Sequence, residues 1–526
     1  MRNDLGVERL AKLEESLRGP FPTSNLPLRA RTSHEHDDAA LGLPLGAVAW
    51  PRCGHALVEA YTRGDASPVD LARKALASAR SFASRTPSMT PFLHYDDAGS
   101  RRDAEASLAR YRSKSARGPL DGVPIIVKEE TPIEGFPVRV GTSIRPNTPA
   151  AHDATIVKRL RDAGAIVLGQ SPMTEFGMSP LGINPHRNMP RNPHNTGHLA
   201  GGSSTGSAVA VAEGICPIAI AADGGGSIRI PACFNGVFGI KPTWGRVSRA
   251  GDAFDGTMNH IGPIGASTAD LATFLEACAG YDPEDPDTHH TPDIEPGSLT
   301  RALGRGVKGL RIGVLESELA EADSQVADAC RTALAALEKE GAILVRANIS
   351  LARYAASVGY LIIGTEELTS TRDDRLRHFD QLGYDLQIGF TALSTFGSYD
   401  LGDALRLRTG LRAQVAKLLE EVDLIAMPTT ATGAPYATDD EARGGFLDPK
   451  ALDAACRFAF LGNLTGLPAG TSPVGIDRHG VPLGLQLVGD AFDEATVLSA
   501  MAHLERIGAA TVRRPATSID LLEATP

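Results

Sequence analysis

Cysteine is scarce in this chain of 526 residues: Cys53, Cys216, Cys233, Cys278, Cys330 and Cys456 are scattered, and no two form a C-x-x-C pair. That spacing argues against a disulfide framework and against a thiolate zinc site, and it predicts reduced cysteines in the core of a cytosolic protein. Lysine is scarcer than arginine, ten against 42, and no basic cluster occurs in a chain of net charge −11. A nucleic-acid surface is therefore not expected. Long apolar runs are missing as well. The longest stretch, "SAVAVAEGICPIAIAAD", is broken by Glu213, Gly214 and Pro217 and cannot span a bilayer. The first residues, "MRNDLGVERLAKLEESLRG", are charged throughout and hold no apolar segment of a secretory signal, so a cytoplasmic location is expected. No His, Asp and Glu group has ligand spacing, and neither a metal nor a cofactor is expected.

What is present is ordinary globular material, 42% hydrophobic and 22% charged, enough for a large core. Residues 1–45 are polar and read as an arm. The remainder, 46–526, reads as one domain with a Pro- and Asp-rich surface loop near 280–300, "GYDPEDPDTHHTPDIEPG". Helix–glycine–strand units recur. In "ASPVDLARKALASARSF", Ser67 is a natural N-cap with Pro68 at the first helical position. In "DATIVKRLRDAGAIVLGQ", Ile156, Val157, Leu160 and Ala163 share a helical face, Gly164 stops the helix, and "AIVLG" follows as a buried strand. The pattern returns at "SAVAVAEGICPIAIAAD" and "ACRTALAALEKEGAILVRA". Such alternation predicts an α/β protein whose large mixed sheet is covered by helices on both faces.

Four small-residue stretches compete for the chemistry. "GRGVKG", Gly304 to Gly309, matches G-x-G-x-x-G, but its strand "LRIGVL" comes after the glycines instead of before, so it reads as a loop. "GSSTG", Gly202 to Gly206, matches a nucleophile elbow around Ser204, yet the preceding "RNPHNTGHLAG" is no strand and the late histidines His378, His479 and His503 lie in charged or turn contexts. The third stretch, "GVPIIVKE", ends in Lys128 directly after an apolar run. The plain alternative is a lysine reaching solvent from a strand end. The sharper one is a buried lysine: burial lowers a lysine pKa by up to ~3–5 units, and the neutral amine is a competent base. The fourth, "DGGGSIRIP", places three glycines before Ser227, where backbone N–H groups can converge on an oxyanion.

Together "GPLDGVPIIVKE", "LAGGSSTGSAVAVAEG" and "AADGGGSIRIPACFNGVFGIKPTWGRVS" resemble the amidase signature family, with 75 residues from Lys128 to Ser203 and 24 from Ser203 to Ser227. The resemblance continues through "DLIAMPTTATGAP" and "NLTGLPAGTSPVGIDRHGVPLGLQLVGDAFDEATVL" and spans roughly Leu57 to Leu504. It implies the amidase signature fold and an amide hydrolase in which Ser227 is the nucleophile, Ser203 a bridging serine on a cis peptide and Lys128 the base. It also implies an oxyanion hole from the N–H groups of Gly224, Gly225, Gly226 and Ser227, with Asp223 and Arg229 paired to hold the turn. Three positions depart from the pattern: Glu129 stands where Asp is usual, Thr205 where Gly is common, and Gly224 where Ile or Thr is common. None removes a reacting group.

For substrate, residues 354–399 hold Tyr354, Tyr360, Phe379, Tyr384, Phe390, Phe396 and Tyr399, either helix core or the wall of a pocket for apolar acyl or aryl amides. The alternatives are an amidotransferase component supplying ammonia to a partner, a carbamate or ester hydrolase on the same residues, and a binding protein without turnover. A small-molecule amide is the expected partner, with a homodimer left open.

Overall fold

The computed structural model describes residues 6–22, 24–28, 52–445, 448–511 and 514–523. Its strands are β1 (His94–Tyr95), β2 (Pro124–Lys128), β3 (Ile166–Ser171), β4 (Ile218–Asp223), β5 (Phe238–Lys241) and β6 (His260–Gly265), followed by β7 (Arg311–Leu315), β8 (Ile343–Ala347), β9 (Leu424–Pro428), β10 (Ala469–Ile476) and β11 (Pro482–Val488). They form a single sheet in the order β1-β3-β2-β4-β6-β5-β10-β11-β9-β7-β8. The sheet is mixed: β2 runs parallel to β3 and β4, and β7 to β8 and β9, while β5, β6, β10 and β11 pair antiparallel. The β6 and β7 strands flank the 280–297 loop and lie in this one sheet.

Side-chain alternation explains how both faces are buried. On β2, Ile125 and Val127 enter one core and Ile126 another; on β4, Ile218 and Ile220 part in the same way from Ala219 and Ala221. The first core takes the helices Thr155–Asp162, Thr268–Cys278, Ser324–Lys339 and Glu494–Arg506, and the opposite face takes Pro68–Ala83 and Thr205–Ala212. At the other end of the sheet, Ile425 and Met427 of β9 meet the helices Ala355–Ser370, Ser398–Leu419 and Phe460–Thr465. This is the expected α/β architecture.

Local details follow the sequence closely. The helix Pro68–Ala83 starts at its proline with Ser67 as N-cap residue, although the Ser67 side chain makes no capping bond. Gly164 takes a φ of +96° after the helix Thr155–Asp162. All six cysteines are free and buried. Of the expected N-terminal arm, residues 29–45 lie outside the described residues, whereas Val7 and Leu10 are buried against the core of the last three helices, and Arg412 donates to the carbonyls of Ser24 and Asn25. Among the described residues no helix is long and apolar enough to cross a membrane.

Candidate active site

Parallel pairing of β2 with β4 puts their carboxyl ends at the same edge of the sheet, where open α/β sheets bind ligands. Lys128 is the last residue of β2, and the glycine turn begins after Asp223, the last residue of β4. The segment entering the helix Thr205–Ala212 brings Ser203 to the same edge. Its Gly202–Ser203 peptide bond is cis. The Lys128 Nζ donates to the Ser203 Oγ at 2.8 Å and faces the Ala222 carbonyl at 3.5 Å. Its third neighbour is the Glu130 carboxylate at 2.7 Å, with both side chains almost wholly buried. Lys128 is therefore inside the protein, not reaching solvent from a strand end.

The turn 223–229 is held by a buried ion pair. Arg229 donates from Nε and Nη2 to the two Asp223 oxygens at 2.9 and 2.8 Å, the fork geometry that suits a carboxylate. It also donates to the Ala459 carbonyl, Gln486 and Asn463, so the guanidinium is fully engaged. Burial alone would raise the Asp223 carboxyl, but the Arg229 charge and the hydrogen bonds from Arg229 and Asn463 hold it well below the usual carboxylate range. Asp223 in turn accepts from the N–H groups of Gly226 at 2.7 Å and Ile228 at 3.2 Å. Gly226 thus aims its N–H at Asp223, away from the role expected of it; among the described residues Gly224, Gly225 and Ser227 make no such bond. The glycines are steric necessities. A Cβ on Gly225 would press on the Phe460 ring at 2.6 Å, and Gly226 has a φ of +119° with Ile230 and Ala459 too close for a side chain.

Beside the turn lies a cavity of about 700 Å³, part of it open to solvent. Lys128, Ser203, Gly224, Gly225 and the half-buried Ser227 line it, together with Phe176, Phe254, Tyr360, Ile363 and Phe460. Ser204 does not. Its hydroxyl bonds the backbone of Ala222, which removes it as an elbow nucleophile. The Gly304–Gly309 stretch is a loop before β7. Of the departures from the expected pattern, Glu129 ties Gly141 and Arg187 together, and burial raises its carboxyl. Thr205 opens the helix Thr205–Ala212, and Gly224 leaves room for Ile363.

The aromatic segment divides between the two expectations. Tyr360 lines the cavity, Phe390 is core beside Phe176, and Tyr384 and Tyr399 are exposed. Sequence reasoning missed the acids of the cavity wall: Glu130, Asp255, Glu366 and Glu367. The signals for the three glutamates were "KEE" after an apolar strand and "GTEEL" inside an apolar helix, where carboxylates have no obvious solvent.

The family model "Amidase" matches residues 76–498. A fatty acid amide hydrolase of Medicago truncatula is 32% identical over 88% of this chain and 78% of its own. A glutamyl-tRNA(Gln) amidotransferase component from Chloroflexus aurantiacus is 34% identical over 87% of this chain and 96% of its own. Among solved structures, one reported as part of a vestigial protein complex that reveals the origins of an s-triazine catabolic enzyme superimposes with a TM-score of 0.79. It is 30% identical and is covered in full by 88% of this chain. With this sheet, this buried lysine–serine contact and these relatives, the chain belongs to the amidase signature family, hydrolases that act on amides.

Proposed function

We propose that the protein hydrolyses a carboxylic amide with an apolar acyl or aryl part through a serine acyl-enzyme. Ser227 attacks the amide carbonyl; its proton passes to Ser203 and from Ser203 to Lys128 in its amine form. The same relay protonates the leaving amine, and water then releases the acid. The N–H groups of Gly224, Gly225 and Ser227 face the developing oxyanion, while Asp223 and Arg229 keep the turn in shape. One observation carries this reading: the buried Lys128 amine sits 2.8 Å from the Ser203 hydroxyl, in the cavity that Ser227 also lines. The aromatic and aliphatic walls around it support an apolar substrate.

Ser227→Ala should lower kcat/KM by at least ~10⁴-fold with the circular dichroism spectrum unchanged. A fluorophosphonate should label the wild-type chain once, at Ser227 by peptide mapping. An adduct on Ser203 or Ser204 would overturn the order of the relay. The similarity to an amidotransferase component supports a second reading, in which ammonia is passed to a partner chain. Release of ammonia from a simple amide by the purified chain alone decides for the hydrolase.

A further inference from the structure

As an amine, Lys128 has two N–H groups and one lone pair. The Glu130 carboxylate at 2.7 Å and the Ala222 carbonyl at 3.5 Å present oxygens to the N–H groups, which leaves the lone pair for the hydroxyl proton of Ser203 at 2.8 Å. The Lys128 and Glu130 side chains are 1% and 2% exposed, so solvent screens their contact little. The second Glu130 oxygen, Oε1, is buried with no hydrogen-bond partner among the described residues, and so is Oδ1 of Asp252. These two carboxyl groups are neighbours. Ala253, next to Asp252, donates its N–H to the Glu130 carbonyl at 3.2 Å, and the Glu130 charge acts on Asp252. Two ionised carboxylates are acceptors only and cannot satisfy each other; one proton between them satisfies both. The remaining Asp252 oxygen, Oδ2, accepts from the Asn259 amide at 3.0 Å. Burial, and next the Glu130 charge, hold the Asp252 carboxyl well above the usual carboxylate range, which puts the shared proton on Asp252.

We propose that Glu130 is a positioning residue of the proton relay: its carboxylate orients the Lys128 amine toward Ser203 and supplies the opposite charge when the ammonium forms, while the Asp252 carboxyl holds it in place through the shared proton. The role is that of the buried acid in a Ser-His-Asp triad, which orients the base and stabilises its cation without itself being protonated. The proton that leaves Ser227 passes through Ser203 and ends on Lys128. Glu130 keeps its charge, and the Asp252 proton stays where it is. Arg249 and Lys128 are the cations that act on Asp252, and Glu130 acts in turn on Glu367, which also feels Glu366 and Arg145. Among the described residues, Lys128 alone comes within ion-pair distance of Glu130. The inference rests on the relay proposed above for the identity of the base.

The test reads the rate at which a fluorophosphonate labels Ser227 in the purified full chain, as a function of pH. An opposite charge beside a base favours its protonated form, so the labelling rate of the wild type should rise late on the pH scale. Glu130→Gln keeps the shape and removes the charge. Its rising limb should move toward lower pH by about 1–3 units, and its plateau should fall about tenfold, because the amine has lost its orientation and its counter-charge. A side chain that merely packs would lower the rate at every pH and leave the limb in place. Glu130→Asp, with the carboxylate one methylene further back, should move the limb the same way by less, and it covers the case in which the glutamine variant does not fold. Asp252→Asn can donate to Glu130 in the proton's place and still accept from Asn259, so it should move the limb far less than Glu130→Gln. Circular dichroism checks the fold of each variant. A limb that stays put in whichever Glu130 variants fold overturns the proposal and leaves the relay standing. An Asp252→Asn shift as large as that of Glu130→Gln overturns the shared proton. No labelling of Ser227 in the wild type at any pH brings down the relay itself, and this role of Glu130 with it.

Discussion

Lys128 follows Val127 at the end of a strand whose five residues are all buried, and a basic side chain there needs polar partners. Glu130 and Ser203 are those partners. If the lysine serves as the base, Lys128→Arg should be nearly as damaging as Lys128→Ala, because a guanidinium stays protonated and cannot accept the serine proton. Both variants should lose about 10²–10⁴-fold in kcat/KM, the usual contribution of a positioned base. A folded Lys128→Arg enzyme that keeps near wild-type kcat/KM across pH would mean that only the charge matters there, and the relay would fall with it. The choice of lysine was legible, since an apolar strand ending in the scarcer basic residue is unusual. Its partner Glu130 was not, because nothing in "KEE" says which of the two acids turns inward beside it; Glu129 goes instead to Gly141 and Arg187.

The strand–turn–helix from Ile218 to Asn235 is the element on which the site depends. The β4 strand ends at Asp223, Gly226 bends the chain at a φ that L side chains rarely adopt, and Arg229 begins the next helix while pairing back to Asp223. Gly226→Ala meets both the positive φ and the side chains of Ile230 and Ala459, so it should cost ~1–3 kcal/mol of stability. It should also displace the Ser227 hydroxyl, and kcat should fall more than the melting temperature suggests. Unchanged kcat in a folded variant would show that the turn tolerates another shape. The helix Ala355–Ser370 gives the opposite lesson. Its aromatic residues left helix core and pocket wall both open, and which residues face the cavity was decided by packing against Phe460 and the Gly224 turn; Tyr360 and Ile363 turn in, along with both glutamates.

Across the whole molecule, residues 517 and 519 are tied to the end of the helix Thr205–Ala212 through a buried acid. The Glu213 carboxylate accepts from the Thr517 hydroxyl at 2.8 Å, and its carbonyl accepts from the Ile519 N–H at 2.9 Å. Burial raises the Glu213 carboxyl to about 7, only partly offset by Thr517 and Arg85. A carboxyl raised in the folded state binds its proton more tightly than in the unfolded chain. Its contribution to stability is therefore full below the unfolded value near ~4.3 and is lost as pH climbs through about 7. Glu213→Gln stays neutral and should gain melting temperature relative to wild type between about pH 4.5 and about pH 7, then keep a constant difference. Melting curves by circular dichroism at roughly one-unit steps of pH across that window and above it check this; a flat difference would place the titration elsewhere.

By itself the sequence determined the class of fold, the positions of several helices and the three motifs that meet at the site. Those features rest on local physics: apolar period, proline at a helix start, glycine where the backbone must turn left or pass close to a ring. The pairing of Asp223 with Arg229 was legible through the family resemblance, and the six-residue step around a tight turn allows it. Only the tertiary structure decided that the Gly226 N–H faces Asp223, that Ser204 bonds the β4 backbone at Ala222, and that Glu366 and Glu367, 139 and 140 residues after Ser227, face the same cavity. Each of these depends on how separate elements are brought together by the order of strands in one sheet. Direction and distance between such elements are written in no single stretch of the chain, only in the way their apolar faces close over one another.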